Sequence, residues 1–190
     1  ADVAAEARAE ATTLTLLCVG VAIIPDLDVL PGLVLGMPVL FHGGMSHSLT
    51  AALIVSTIAA LLFPSTHLKR WQIFALCFSA YGSHLLLDFF NRDGREPFGI
   101  PLLWPFVDQT FIAPFPILIG MRHASNTTDG IMAFLDGVFS RYNILSVTVE
   151  VLVVTPYLWL ATRLAAWPLR GSDVRLLWRS EKPKTVEKMT

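Results

Sequence analysis

The chain has 190 residues, of which 54% are hydrophobic and 15% charged, and its mean hydropathy is +0.59. That apolar share exceeds what a soluble domain carries, which argues against a water-soluble fold and for an integral membrane protein. A net charge of −1 leaves no surplus of Lys or Arg to neutralise phosphates, so no nucleic-acid partner is expected.

Residues 1–11 are Ala-rich, with Asp2, Glu6, Arg8 and Glu10, and read as an interfacial or solvated helix. The apolar run 12–24 is shorter than the ~20 helical residues a hydrocarbon core needs, and reads as a spanning helix if the preceding turn contributes. Pro25 is expected to end it. Pro25-Asp26-Leu27-Asp28 follows, then a loop rich in Gly and Pro (Pro31, Gly32, Gly36, Pro38, Gly43, Gly44) leads to a second apolar run over 48–63. The turn 64–70 carries His67, Lys69 and Arg70, and 71–90 is a third apolar run, the clearest of the set. A polar loop over 91–96 contains Arg92, Asp93, Arg95 and Glu96, and 97–106 follows it. The stretch 111–121 is apolar but interrupted by Pro114 and Pro116, which points to a re-entrant or interfacial segment. An amphipathic surface helix is expected over 127–142, and a last spanning helix over 143–167 with a kink at Pro156.

The expected fold is therefore all-α: a multi-pass transmembrane helical bundle of about four spanning helices plus a short re-entrant or interfacial segment. It forms one transmembrane domain over 1–169, followed by a polar, basic C-terminal tail over 170–190. No internal repeat is visible. Cys18 and Cys77 both stand in apolar stretches and read as small buried hydrophobes rather than a disulfide. Ala1 in place of a Met leaves room for residues upstream, and no ordinary signal-peptide cleavage pattern precedes a soluble domain.

Basic residues concentrate in the Lys69-Arg70 turn and in the tail, at Arg170, Arg175, Arg179, Lys182, Lys184 and Lys188. The positive-inside rule puts both in the cytoplasm, with Arg92 and Arg95 as the exceptions on the other side. A second argument needs no orientation. Asp26 and Asp28 follow the first apolar run, His42 and His47 precede the second, and His84 and Asp88 close the third. Antiparallel crossings bring all six to one membrane face.

Taken singly, each has a plain reading. His84 and Asp88, four apart on a helix, share a face and can satisfy one another. Asp26 and Asp28 fit a turn beside Pro25, and His42 and His47 fit a loop. Taken together, three imidazoles and three carboxylates without a thiolate have the ligand chemistry of a zinc, iron or manganese site. Ionisable groups within apolar helices are also costly, and point to function by default. Weaker candidates are His67, expected to be solvated on the opposite face, and His123, which can approach from the side. Glu150 is expected to face the bundle, and Trp104-Pro105-Phe106 reads as an interfacial anchor or a lid.

Four motifs in order carry a resemblance: Pro25-Asp26-Leu27-Asp28, His42-Gly43-Gly44-Met45-Ser46-His47-Ser48, His84-Leu85-Leu86-Leu87-Asp88, and Pro101-Leu102-Leu103-Trp104-Pro105-Phe106. Over residues 20–110 the chain resembles the bacterial and archaeal membrane-bound metal-dependent hydrolase family that includes YdjM-like inner-membrane proteins. The resemblance implies a multi-pass inner-membrane protein with a divalent metal ion, zinc in the first place and manganese or iron as alternatives, and a hydrolase activity. Two departures stand out. Family members carry a further His near the start of the chain, whereas none precedes His42 here. They also carry a basic residue after the first His of the second motif and Thr before its second His, where this chain has Gly43 and Ser46. The missing guanidinium removes one anchor for a phosphate or carboxylate.

The metal set expected on these grounds is Asp26, His47, His84 and Asp88, with Asp28 and His42 next. Asp28 is the candidate general base, or else a partner that orients a ligand imidazole. The reaction would be metal-assisted hydrolysis of an ester or phosphoester, with membrane lipids as natural substrates for a site at the extracytoplasmic face. Protein partners or an oligomer within the membrane remain open. A non-catalytic subunit of a larger membrane complex, with a degenerate metal site, is the alternative function. A transporter would call for paired, Gly/Pro-broken helices, which the sequence lacks.

Overall fold

The computed structural model describes residues 3–65, 68–92, 98–121 and 130–166. Among the described residues the chain is all-α, with no sheet and two isolated β-bridges, Asn91 with Leu118 and Ile100 with Phe111. Six α-helices follow in order: α1 Val3–Ile23, α2 Val29–Val34, α3 Leu49–Leu62, α4 Arg70–Phe90, α5 Ile131–Val138 and α6 Arg141–Ala166. The chain divides into two compact units, Ala1–Val147 and Thr148–Thr190. The second holds α6 from Thr148 onward, with Glu150 and Pro156.

The Ala-rich start and the first apolar run form one helix, because Ala is the strongest helix former and nothing in between breaks the pattern. The hydroxyls of Thr13 and Thr15 donate to the carbonyls of Ala9 and Ala11, each at 2.9 Å, so they need no water. Pro25 does not stop the helical path. It enters the first turn of a 3-10 helix, Ile24–Asp28, where the missing N–H would have had no partner in any case. α2 continues from there and takes up Pro31 and Gly32, two residues whose composition points to a loop. Gly32 is buried, and a Cβ there would lie 2.4 Å from the Met37 carbonyl oxygen. Its own carbonyl accepts the Met37 N–H at 2.7 Å, which folds the following loop back over α2.

Ser48 starts α3, its hydroxyl oxygen accepting the Ala51 N–H at 3.1 Å. Arg70 closes the other end of that helix by donating from Nη1 to the carbonyls of Ala60 (2.7 Å) and Phe63 (2.6 Å). The buried residues of α3 are small and lie at every fourth position: Ala52, Ser56 and Ala60. Those of α4 repeat at the same interval: Ile73, Cys77, Tyr81 and Leu85. Small side chains on one helix let the larger row of the other come close, and the two helices pack along their length. α1 joins them through Val21, with Leu14 and Leu17 at the margin.

The outward faces stay apolar, with Leu16, Val19, Ile54, Ile58, Leu61 and Trp71 all exposed, more than water tolerates on a soluble domain. Among the described residues two stretches, Ala9–Val34 and Arg70–Phe90, are long and apolar enough to cross a membrane, or three if α5 and α6 count as one bent crossing. Four crossings are thus not reached by length and composition. α3, with 14 residues, spans only about 21 Å at 1.5 Å per residue.

Residues 111–121 are irregular, tied to the end of α4 through the Ala113 N–H to Phe89 carbonyl (2.8 Å) and Ile117 N–H to Phe90 carbonyl (3.1 Å) bonds. The amphipathic helix expected over 127–142 is interrupted. Ser140 accepts the Asn143 N–H at 3.2 Å and Asn143 Nδ2 donates to the Gly137 carbonyl at 2.8 Å, so α6 begins afresh after α5. α5 itself buries no residue. His67, Asp93, Arg95, Arg122, His123 and the tail 170–190 lie outside the described residues.

Candidate metal centre

The six His and Asp residues singled out by sequence come together. The 3-10 helix Ile24–Asp28 supplies Asp26 and Asp28, the loop before α3 supplies His42, the short 3-10 turn Met45–His47 supplies His47, and the last turns of α4 supply His84 and Asp88. His47 is almost fully buried, with 3% of its side chain exposed, whereas Asp26 is 51% exposed. The cluster therefore has a closed back and one open side.

Asp28 organises the back. Its Oδ1 accepts from His42 Nδ1 at 2.9 Å, and its Oδ2 accepts from the Gly43 N–H at 3.1 Å and the Ser46 hydroxyl at 2.7 Å. Nδ1 of His47 lies 3.3 Å from the same Oδ2 and 3.0 Å from Ser46 Oγ. Ser46 has one hydroxyl proton and gives it to Asp28, so toward His47 it can only accept. Nδ1 of His47 therefore carries hydrogen, and in the neutral ring the lone pair belongs to Nε2. His42 Nδ1 faces the Asp28 carboxylate directly and, since an ionised carboxylate only accepts, it can only donate there. Gly43 reaches its position at φ +76°, a conformation that favours glycine.

The front is made by Nε2 of His47, Nε2 of His84, Oδ1 of Asp26 and Oδ2 of Asp88. His47 Nε2 lies 3.7 Å from Asp26 and 3.4 Å from Asp88, and His84 Nε2 lies 3.5 Å from Asp26 and 3.2 Å from Asp88. Bonds of about 2.0–2.2 Å to a tetrahedral ion require neighbouring ligand atoms about 3.3–3.6 Å apart, and these separations straddle that interval. His84 Nε2 is buried and has no partner in hydrogen-bond geometry, despite two carboxylates beside it. Such an atom is rare in a folded interior and marks a place where a further group belongs. Among the described residues two donor triplets could hold an ion: Asp26, His42 and His47, and His47, His84 and Asp88. They share His47, whose single free nitrogen serves one ion.

Burial would lower the basicity of the His47 ring, but the carboxylates of Asp26, Asp28 and Asp88 outweigh it and push the pKa up to about 9.

Ser46, Gly43 and Tyr81 take parts that the sequence did not assign. The first two stood out only as departures from a family pattern. Tyr81 had one signal available: it precedes His84 by three residues and so lies on the same helix face. The Pro101–Phe106 motif binds the start of α3, where the Leu49 N–H donates to the Leu102 carbonyl (2.9 Å) and Thr50 Oγ1 to the Trp104 carbonyl (2.7 Å).

Among known proteins, the inner membrane protein YbcI of Escherichia coli (strain K12) is 31% identical to this chain over 104 residues, which cover 51% of the chain and 56% of that protein. The chain thus matches little more than half the length of this relative. No solved structure matches it. A family model described as YdjM inner membrane protein matches residues 2–168, a stretch that holds the whole His/Asp cluster and both long apolar helices. The chain belongs to the YdjM inner membrane protein family.

Proposed function

We propose that this protein is a membrane-embedded, metal-dependent hydrolase acting on an ester or phosphoester, with membrane lipids as the natural substrate class. The observation that carries the reading is that Nε2 of His47 and Nε2 of His84 each lie 3.2–3.7 Å from carboxylate oxygens of Asp26 and Asp88, with Nε2 of His84 buried and outside hydrogen-bond geometry. Asp26, His47, His84 and Asp88 would hold one divalent ion, and their nitrogen and oxygen donors, with no thiolate among them, suit zinc. When bound, such an ion lowers the pKa of a coordinated water toward roughly 7 and polarises the bond to be cleaved. The chain's own residues do the rest. Asp28 and Ser46 keep His47 in the tautomer that offers Nε2, and Asp28, with its oxygens engaged by several donors, orients rather than exchanges protons. Asp26, on the open side, borders the approach.

In this reading the crossings are Ala9–Val34, α3, α4 and the bent α5–α6 pair, with the bilayer thinned around the short α3. Lys69 and Arg70 face the cytoplasm and the cluster faces the other side. Trp104 and Phe106 anchor the loop among lipid headgroups.

Protein purified in detergent is expected to retain about one divalent ion per chain, and His84→Ala to lose it. Purified protein should also cleave a chromogenic ester or phosphodiester in mixed micelles, and a chelator should stop it. Absence of bound metal in the unmutated protein overturns the reading. Bound metal without hydrolysis of any ester favours a second one, a non-catalytic subunit of a membrane complex. That reading has an observation of its own: Gly43, where the family resemblance implies a basic residue, offers only a backbone N–H, already given to Asp28.

A further inference from the structure

Tyr81 lies outside the donor set and is wholly buried on α4, one turn before His84. Its phenol donates to the carbonyl oxygen of Ser46 at 2.6 Å, a contact between residues 35 apart in sequence. That carbonyl belongs to the peptide bond joining Ser46 to His47. The Ser46 hydroxyl is meanwhile held by Asp28 at 2.7 Å and meets His47 Nδ1 at 3.0 Å. The residue preceding His47 is thus fixed by its backbone from α4 and by its side chain from the Asp28 turn. α4 also carries His84 and Asp88, so one helix both supplies two donor atoms and fixes the backbone that presents a third.

We propose that Tyr81 is a positioning residue of the metal centre: its bond to the Ser46 carbonyl sets the peptide from which His47 projects, so that Nε2 of His47 and Nε2 of His84 converge before an ion arrives. This rests on the cluster being a metal centre. The competing account makes Tyr81 an ordinary member of the buried row Ile73, Cys77, Leu85, where ring volume matters and the hydroxyl does not. Phenylalanine separates the two, because it keeps the ring and removes only the donor.

The test is cobalt(II) binding to the full chain in detergent, followed by its visible spectrum and by competition with a chelator. Tyr81→Phe is expected to fold with unchanged helix content, to bind cobalt about 10–100-fold more weakly, and to show a shifted ligand-field spectrum, as loss of groups that orient ligands does elsewhere. Ser83→Ala is the control, since among the described residues that hydroxyl bonds only within its own helix, to the Ala80 carbonyl at 2.7 Å. It should leave affinity and spectrum unchanged. Equal affinity and spectrum for Tyr81→Phe and the unmutated protein overturns the proposal while the metal centre stands. No cobalt binding by the unmutated protein overturns the metal centre, and the proposal with it. If Tyr81→Phe does not fold, hydrogen exchange in the unmutated protein decides. Amides of residues 44–48 protected equally with and without metal support a loop set in advance by the phenol, whereas protection only with metal means that the ion orders the loop, and overturns the proposal.

Discussion

Asp28 touches His42, Gly43, Ser46 and His47, and through the last it governs which ring nitrogen faces Asp26, His84 and Asp88. Asp28→Ala leaves that tautomer unset, and metal affinity should fall by about 10–100-fold, read by chelator competition. An equal affinity would show that the ring needs no such support. pH enters through His47. In the metal-free protein its pKa stands at about 9 against an ordinary 6.5. A raised pKa means that the imidazolium's contribution to stability is complete below about 6.5 and is lost as pH rises through about 9. A divalent cation competes with that proton, so binding tightens with rising pH up to the same point. The increase in unfolding temperature caused by a fixed concentration of zinc should therefore be larger near pH 8 than near pH 6. A smaller increase at the higher pH would contradict a proton and an ion sharing this place.

At the scale of elements, the tight turn between α2 and the loop that follows it depends on Gly32. A Cβ there meets the Met37 carbonyl oxygen at 2.4 Å and the Pro38 carbonyl oxygen at 2.7 Å, backbone atoms that cannot swing aside. Gly32→Ala should cost about 1–3 kcal/mol of stability, as overpacking does, measured by denaturant titration in detergent. Lipid-facing Leu16→Ala, by contrast, should change little. The apolar runs of α3 and α4 were legible almost to the residue, because uninterrupted hydrophobicity between polar turns leaves one way to place a helix. The course around Pro25 was not. A proline that ends an α-helix can also begin a 3-10 turn, and composition does not separate the two. Nor was the break between α5 and α6, which depends on Asn143 reaching back to Gly137 and on Ser140 capping a new start. For the cluster, residue types and their position at helix ends pointed to the six side chains. The roles of Ser46 and Tyr81 lay hidden because neither is a ligand type, and their partners are known only once distant stretches have met.

For the whole molecule, orientation can be tested directly. A membrane-impermeant thiol reagent applied to intact spheroplasts, in a background with Cys18 and Cys77 replaced by alanine, should label a cysteine introduced at Leu40 and spare one at Pro64. Leu40 lies in the loop between Asp28 and His42, while Pro64 lies in the turn toward Lys69 and Arg70. The reverse pattern would put the cluster on the cytoplasmic side. The asymmetry between half-exposed Asp26 and enclosed His47 has one more consequence. A cation held between them would have a doorway on one flank and a wall on the other, so it could be withdrawn and returned while the helices stay assembled. Dialysis against a chelator and then against zinc should restore the original occupancy without any denaturing step. The protein would then follow the metal supply of its compartment throughout its lifetime, instead of keeping the ion it met during folding.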